Sequence, residues 1–152
     1  MSEIALGLES PRQPDVVRLL EALDAYQSRL YPPESNHFLD VEALAAPSVR
    51  FFVARRDGRA LGCGALRIDP EGYGEVKRMF VSPEARGLKL GRRILDRIEE
   101  EARRESLACL RLETGIHQPE ALGLYRSAGY AERDAFGEYS PDPLSVFMEK
   151  SL

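Results

Sequence analysis

The spacing of apolar residues changes several times along the chain, and each change marks an element. Val16, Leu19, Leu20, Leu23 and Leu30 recur on one helical face of DVVRLLEALDAYQSRL, which predicts an amphipathic helix, while Ile4 to Leu8 ahead of it reads as a short strand. YPPESNHF breaks the helical pattern because paired prolines disfavour a helix, and LDVEALAAP then predicts a brief helix ending near Pro47. VRFFVARR and ALGCGALRI flank an Asp-Gly turn, so they are expected to pair as a hairpin, with GYGEVKRMFVS as the next strand. From about Gly91 to Glu105 a helix is predicted, its apolar stripe made by Leu90, Ile94, Leu95, Ile98 and Ala102. LACLRLET is a further strand. QPEALGLYRSAGY is a helix with Pro119 in its first turn and Gly129 at its end. Two late strands are expected, around Tyr130 to Phe136 and Ser145 to Lys150.

This order predicts an α/β fold with a mixed sheet and helices on both faces. The hairpin region is antiparallel, and the strand–helix–strand unit from Glu75 to Thr114 is expected to be parallel with a right-handed crossover. The 152 residues, 43% hydrophobic and 30% charged, are expected to form one domain with a real core, residues 1–152. A net charge of −4 argues against a broad nucleic-acid-binding surface but leaves room for a local basic site. No apolar run approaches the roughly 20 residues of a membrane helix, and MSEIALGLES lacks the features of a secretory signal, so a cytoplasmic protein is expected. Cys63 and Cys109 sit in apolar strand-like runs and read as buried free thiols. The scattered Cys and His residues give no metal-site spacing.

The candidate chemistry lies in SPEARGLKLGRRIL, between a strand and a helix. The first N–H groups of a helix lack intrahelical partners and carry partial positive charge, so a loop that turns its amides inward there can cradle phosphate oxygens. Gly87 and Gly91 would let backbone approach such a ligand, Arg86 offers a forked donor, and Lys89, Arg92 or Arg93 add charge. The same residues also read as a turn glycine, a packing glycine and a solvated basic face. Neither the phosphate-loop nor the dinucleotide-binding glycine pattern occurs, which disfavours a nucleoside triphosphatase or a dehydrogenase.

EVKRMFVSPEARGLKLGRRIL resembles the acetyl-CoA motif of the GNAT superfamily of N-acyltransferases, Arg/Gln-x-x-Gly-x-Gly/Ala after a strand ending in Val-x-Pro. Arg86 and Gly91 match its first and last positions, and Lys89 replaces the middle glycine. Downstream, ALGLYRSAGY resembles the family's Ala-x-x-Leu-Tyr-x-x-x-Gly-Phe/Tyr helix, in the right order and spacing. The resemblance runs from Val49 to the C-terminus, about two-thirds of the chain, and the N-terminal helices fit the family's variable acceptor-side segment.

The resemblance implies a mostly antiparallel central sheet with one splayed parallel strand pair, and acetyl-CoA as cosubstrate. It implies that Arg86, Gly87, Leu88, Lys89, Leu90, Gly91 and Arg92 hold the diphosphate. Met79, Phe80 and Val81 then offer main-chain bonds to the pantetheine arm, and one main-chain N–H polarises the thioester. Gln118 stands where many relatives carry an asparagine that contacts that arm. Tyr125 matches the tyrosine that protonates the departing thiolate, and Glu75 matches a position that supplies the base in several members, with Glu113 or a water in reserve. By their own positions in the central strands, Lys77, Arg78 and Arg67 read as sheet-face or surface charges, any of which could meet a substrate carboxylate. YPPESNHF reads as a lid, His37 and His117 as structural or loop residues, and Phe136, Glu138 and Tyr139 as closing either the acceptor pocket or an intersubunit contact. The implied activity is acetyl transfer to a primary amine of a small molecule without nucleic acid or membrane, and a homodimer is compatible with it. A protein N-acyltransferase and a non-catalytic CoA-binding module are the alternatives.

Overall fold

The computed structural model describes residues 3–35 and 40–152, so His37 lies outside the described residues. The elements are β1 (Ala5–Leu8), α1 (Pro14–Leu30), α2 (Val41–Leu44), β2 (Val49–Arg56), β3 (Arg59–Ile68), β4 (Gly74–Val81), α3 (Leu90–Arg104), β5 (Cys109–Gly115), α4 (Pro119–Ser127), β6 (Ala131–Arg133) and β7 (Ser145–Ser151). They build one seven-stranded sheet in the order β1-β2-β3-β4-β5-β7-β6, antiparallel throughout except for the β4–β5 pair.

Both faces of the sheet are covered, which explains the near-continuous apolar run of β2. Phe51 and Val53 point toward α1 and α2, with Cys63 and Ala65 of β3 beside them. Phe52 and Ala54 point the other way, into a core made with Ile94, Leu95 and Ile98 of α3 and with Leu122 and Tyr125 of α4. Each of those three α3 side chains is fully buried and contributes about 1.5–3 kcal/mol of transfer free energy. β6 is shorter than the pattern suggests: Phe136 has left the strand and packs edge-on against Tyr73 and Phe147.

Two irregularities shape the site. β4 pairs with β5 only from Gly74 to Val76, against Leu110 to Leu112, although both strands continue. Beyond that point they diverge, and the backbone groups of Lys77 to Val81 that face β5 lie past the end of the ladder. The second irregularity is a bulge against β3 at Arg78, whose φ is +56°. Strict alternation would send Arg78 to the α3 side; the bulge turns it back toward α1, where its guanidinium meets Asp24 at 2.6 Å.

Candidate active site

A cavity of about 930 Å³ opens where β4 and β5 part. Its walls come from α1, the free ends of β4 and β5, the loop before α3, α4 and the segment ahead of β7. The cleft therefore passes through the sheet, joining the α3–α4 side to the α1 side.

On the α3 side the loop from Ser82 makes one turn of 3-10 helix (Pro83–Ala85) and then reverses at Gly87, with φ +86°. A Cβ on Gly87 would meet nothing within 4 Å, so the space beside this backbone is open. Lys89 is the N-cap of α3 in left-handed conformation, φ 54° and ψ 34°. This is the conformation a glycine adopts most easily, so the lysine keeps the glycine-type backbone at a cost of about 1–2 kcal/mol and leaves its side chain exposed. Arg93 N–H makes a bond back to Lys89 C=O at 3.2 Å, so the amides of Leu90, Gly91 and Arg92 precede the helical ladder. Gly91 serves packing as well, because a Cβ there would come to 3.3 Å from Leu124 of α4. Arg86 and Lys89 are exposed at this mouth, and Arg92 is paired with Asp96 one turn on, at 2.9 Å.

On the α1 side Glu75, Lys77, Glu113 and Tyr139 share one face. Glu75 is buried, and its carboxylate is heavily engaged. Oε1 accepts from Arg67 at 3.0 and 3.1 Å, while Oε2 accepts from the Tyr139 hydroxyl and lies 3.4 Å from Nζ of Lys77. Lys77 in turn donates to the Tyr139 oxygen at 2.8 Å. Arg67 is spent on Glu75 and Asp69 and does not line the cavity. Glu113 is held differently: Ser145 Oγ donates to its Oε2 at 2.8 Å. Burial, aided by the charge of Glu75, pushes its carboxyl up to about 7, against the pull of Ser145 and Lys77.

Tyr125 is buried in the α4 wall, its ring edge-on to Tyr130 at 5.8 Å. Burial, then the charge of Glu113, pushes its ionisation well above the ordinary phenol range, so its proton is retained. Tyr130 is anchored behind it by Glu99, which also takes Lys150. Gln118, the N-cap of α4, lines the cavity with its side-chain oxygen accepting from Gly115 N–H and from Tyr31. Met79, Phe80 and Val81 line it too. Within the lid candidate, Tyr31 and Ser35 belong to the wall, and Ser35 bonds Asp142 at 2.7 Å. His117 stacks on Tyr31 outside the cavity lining, and Glu138 is exposed. Of the two thiols, Cys63 is buried and pushed up to about 12, whereas Cys109 is only partly buried because it opens strand β5; neither lines the cavity.

No sequence signal marks Asp24, Ser145 or Asp142, and none ties Tyr31 of the lid candidate to Gln118. Tyr31 meets Gln118 across 87 positions of chain, and no local pattern announces such a contact.

The model of the Acetyltransferase (GNAT) family matches residues 16–130, most of the chain. The protein belongs to the GNAT family of acetyltransferases. An IAA acetyltransferase of Azospirillum brasilense is 58% identical over 153 residues, covering all of both chains. The uncharacterized N-acetyltransferase YsnE of Bacillus subtilis is 38% identical over 80% of this chain and 82% of its own. Among solved structures, a Klebsiella pneumoniae protein described as an acyl-CoA N-acyltransferase superposes with a TM-score of 0.82 at 41% identity, covering 100% of this chain and 98% of that one. A PaiA N-acetyltransferase of Thermoplasma acidophilum, solved with coenzyme A, shares the fold at 17% identity and a TM-score of 0.76, over 99% of each chain. This GNAT acetyltransferase is therefore a transferase of a family whose acyl carrier is acetyl-CoA. No helix among its described residues is long and apolar enough to cross a membrane.

Proposed function

We propose that the protein transfers an acetyl group from acetyl-CoA to a primary amine of a small molecule, directly and without an acyl-enzyme. One observation carries the reading: a single cavity crosses the sheet with a retained phenolic proton, Tyr125, on one side and a carboxyl near neutrality, Glu113, on the other.

The residues present fit the carrier. The open face of Gly87, the left-handed Lys89 and the unladdered amides of Leu90 to Arg92 suit a diphosphate, with Arg86 beside them. The main chain of Met79, Phe80 and Val81, past the end of the β4–β5 ladder, suits the amides of an extended arm. Acetyl-CoA bound there supplies the activated acetyl group and a thiolate as leaving group.

The protein's own residues manage the protons. An amine of lysine type, with a pKa of about 10.4, arrives protonated. The Glu113 carboxylate takes that proton, directly or through a water. Its raised pKa makes it an effective base at neutral pH, and an incoming ammonium adds counter-charge to that of Lys77. Glu75, the other candidate, acts through its charge: it orients Lys77 and Tyr139 and raises Glu113. On the far side of the sheet, the Tyr125 hydroxyl gives its proton to the departing sulfur, and the second proton that the nitrogen sheds as the amide forms restores the phenol through solvent. Neither cysteine is placed to be a nucleophile, which supports direct transfer.

The full-length relative named for IAA favours a small-molecule acceptor over a protein one. The test is a panel of small amines, amino acids and peptides with labelled acetyl-CoA, read by thiol release and by the mass of the product. Acetylated small amines are expected. Labelled peptides alone would replace the acceptor assignment, and no product with any acceptor would reduce the protein to a CoA-binding module.

A further inference from the structure

We infer that Tyr31 is a positioning residue for the cofactor arm: it aims the carboxamide of Gln118 into the β4–β5 cleft and so makes helix α1, a wall of the acceptor half, part of the cofactor channel. The inference rests on the acetyl-CoA reading above.

The hydrogen-bond directions in this cluster are fixed by its backbone members. The N–H of Gly115 is a donor and lies 3.2 Å from Oε1 of Gln118, which identifies that end of the carboxamide as the oxygen. The N–H of His117 donates to the Tyr31 oxygen at 3.0 Å, so Tyr31 turns its own proton to the same Gln118 oxygen, at 3.2 Å. Two donors thus hold the oxygen against the β5–α4 junction and leave the –NH2 end for the cavity that Gln118 lines. Gln118 is not spent on capping α4, since its side chain makes no cap bond.

Shape fixes the same arrangement. A Cβ added to Gly115 would lie 1.8 Å from the Tyr31 hydroxyl, so the absence of a side chain at Gly115 is the notch that receives the phenol. Tyr31 is itself the C-cap of α1, with its N–H bonded to Gln27 C=O at 3.0 Å, and its ring stacks on His117 at 5.6 Å. The end of the acceptor-side helix is therefore pinned to the residue that would hand a donor to the arm. A carboxamide released from Tyr31 keeps one constraint of two and loses its direction.

The experiment is calorimetric titration of wild type, Tyr31→Phe, Gln118→Ala and the double variant with CoA. The same proteins are titrated with adenosine bisphosphate, the nucleotide half of CoA, which has no arm. Tyr31→Phe is expected to weaken CoA about three- to tenfold, the worth of one directed hydrogen bond, and to leave adenosine bisphosphate unchanged. In the Gln118→Ala background it should add nothing. Should Tyr31→Phe fold poorly, Gln118→Glu keeps both accepted bonds while replacing the donor, and it should weaken CoA alone. Unchanged CoA affinity in these variants, equal weakening of both ligands, or additive effects of the two substitutions would overturn the inference. Wild type that binds neither ligand would instead sink the acetyl-CoA reading itself.

Discussion

The phenol of Tyr139 donates its proton to Oε2 of Glu75 while Nζ of Lys77 donates to it from 2.8 Å. Its ring is held by Phe136 and Phe147, at 5.1 and 5.5 Å, so the hydroxyl is delivered from a rigid support. Burial and the charge of Glu75 push Tyr139 ionisation far up, which keeps the donor role fixed. The result is a lysine whose ammonium is held at the cavity wall by Glu75 and Tyr139.

Tyr139→Phe tests that arrangement. The ring packing survives, so stability should fall by only about 1 kcal/mol, the net worth of a hydrogen bond. Lys77 and Glu75 lose their shared partner, and kcat/KM for the acceptor should fall about tenfold, while KM for acetyl-CoA stays put. Steady-state kinetics with each substrate varied in turn decides it. Equal changes in both KM values would assign Tyr139 to packing.

Tyr125→Phe removes a proton donor from a buried site without opening a cavity. Turnover should drop by about 10²- to 10⁴-fold, the range of positioned acid–base groups, with CoA affinity within twofold of wild type. Thiol release and calorimetry measure the two separately. Matching turnover in variant and parent would remove the general-acid role.

Much of this architecture is legible in the chain, because hydrophobic period reports burial and burial follows element type. The hairpin, the α3 stripe and the order of the late elements all come from that signal, and the two motif segments locate one side of the cavity. What the pattern could not carry is geometry set by tertiary contact. The bulge at Arg78 leaves no trace in GEVKRMFV, because its strain is borne by an ordinary arginine rather than a glycine. The partition between Glu75 and Glu113 is equally invisible: both end up on one face, and only their neighbours make one a hub of donors and the other a carboxyl near neutrality. Burial is what raises Glu113, and the groups that hold the two carboxyls, Ser145 and Tyr139, lie 32 and 64 positions from their partners.

Lys89 offers a test of backbone against charge. Its left-handed conformation costs a non-glycine residue about 1–2 kcal/mol, while glycine costs about 0.5–1 kcal/mol more chain entropy on folding. Lys89→Gly should thus leave stability equal or slightly higher, while CoA binding weakens about threefold and loses part of its salt dependence through the missing charge. Lys89→Val, which is β-branched, should lose stability instead. Thermal melts beside CoA titrations at two ionic strengths report both effects. A lower melting temperature for the glycine variant would show that the side chain, and not the conformation, holds the loop.

Glu113 links activity and stability to one titration. Its carboxyl is raised from an ordinary value near 4.5 to about 7, with burial as the largest cause. Below that value the base is protonated, so kcat/KM should climb through a limb near pH 7, well clear of the acceptor amine's own titration. Glu113→Gln should abolish the limb together with most of the rate. Glu75→Gln should retain it and move it to lower pH, because the like charge that raises Glu113 is gone. Stability runs the opposite way. Between the unfolded and folded pKa values the native state binds more protons than the unfolded chain, so this carboxyl's contribution is fully present below about pH 4.5 and is lost as pH rises through 7. Wild type should therefore lose melting temperature relative to Glu113→Gln between pH 5 and pH 8, a window set by those two values. Parallel melting curves for the two proteins across that window, or a limb that persists in Glu113→Gln and vanishes in Glu75→Gln, would transfer the base to Glu75.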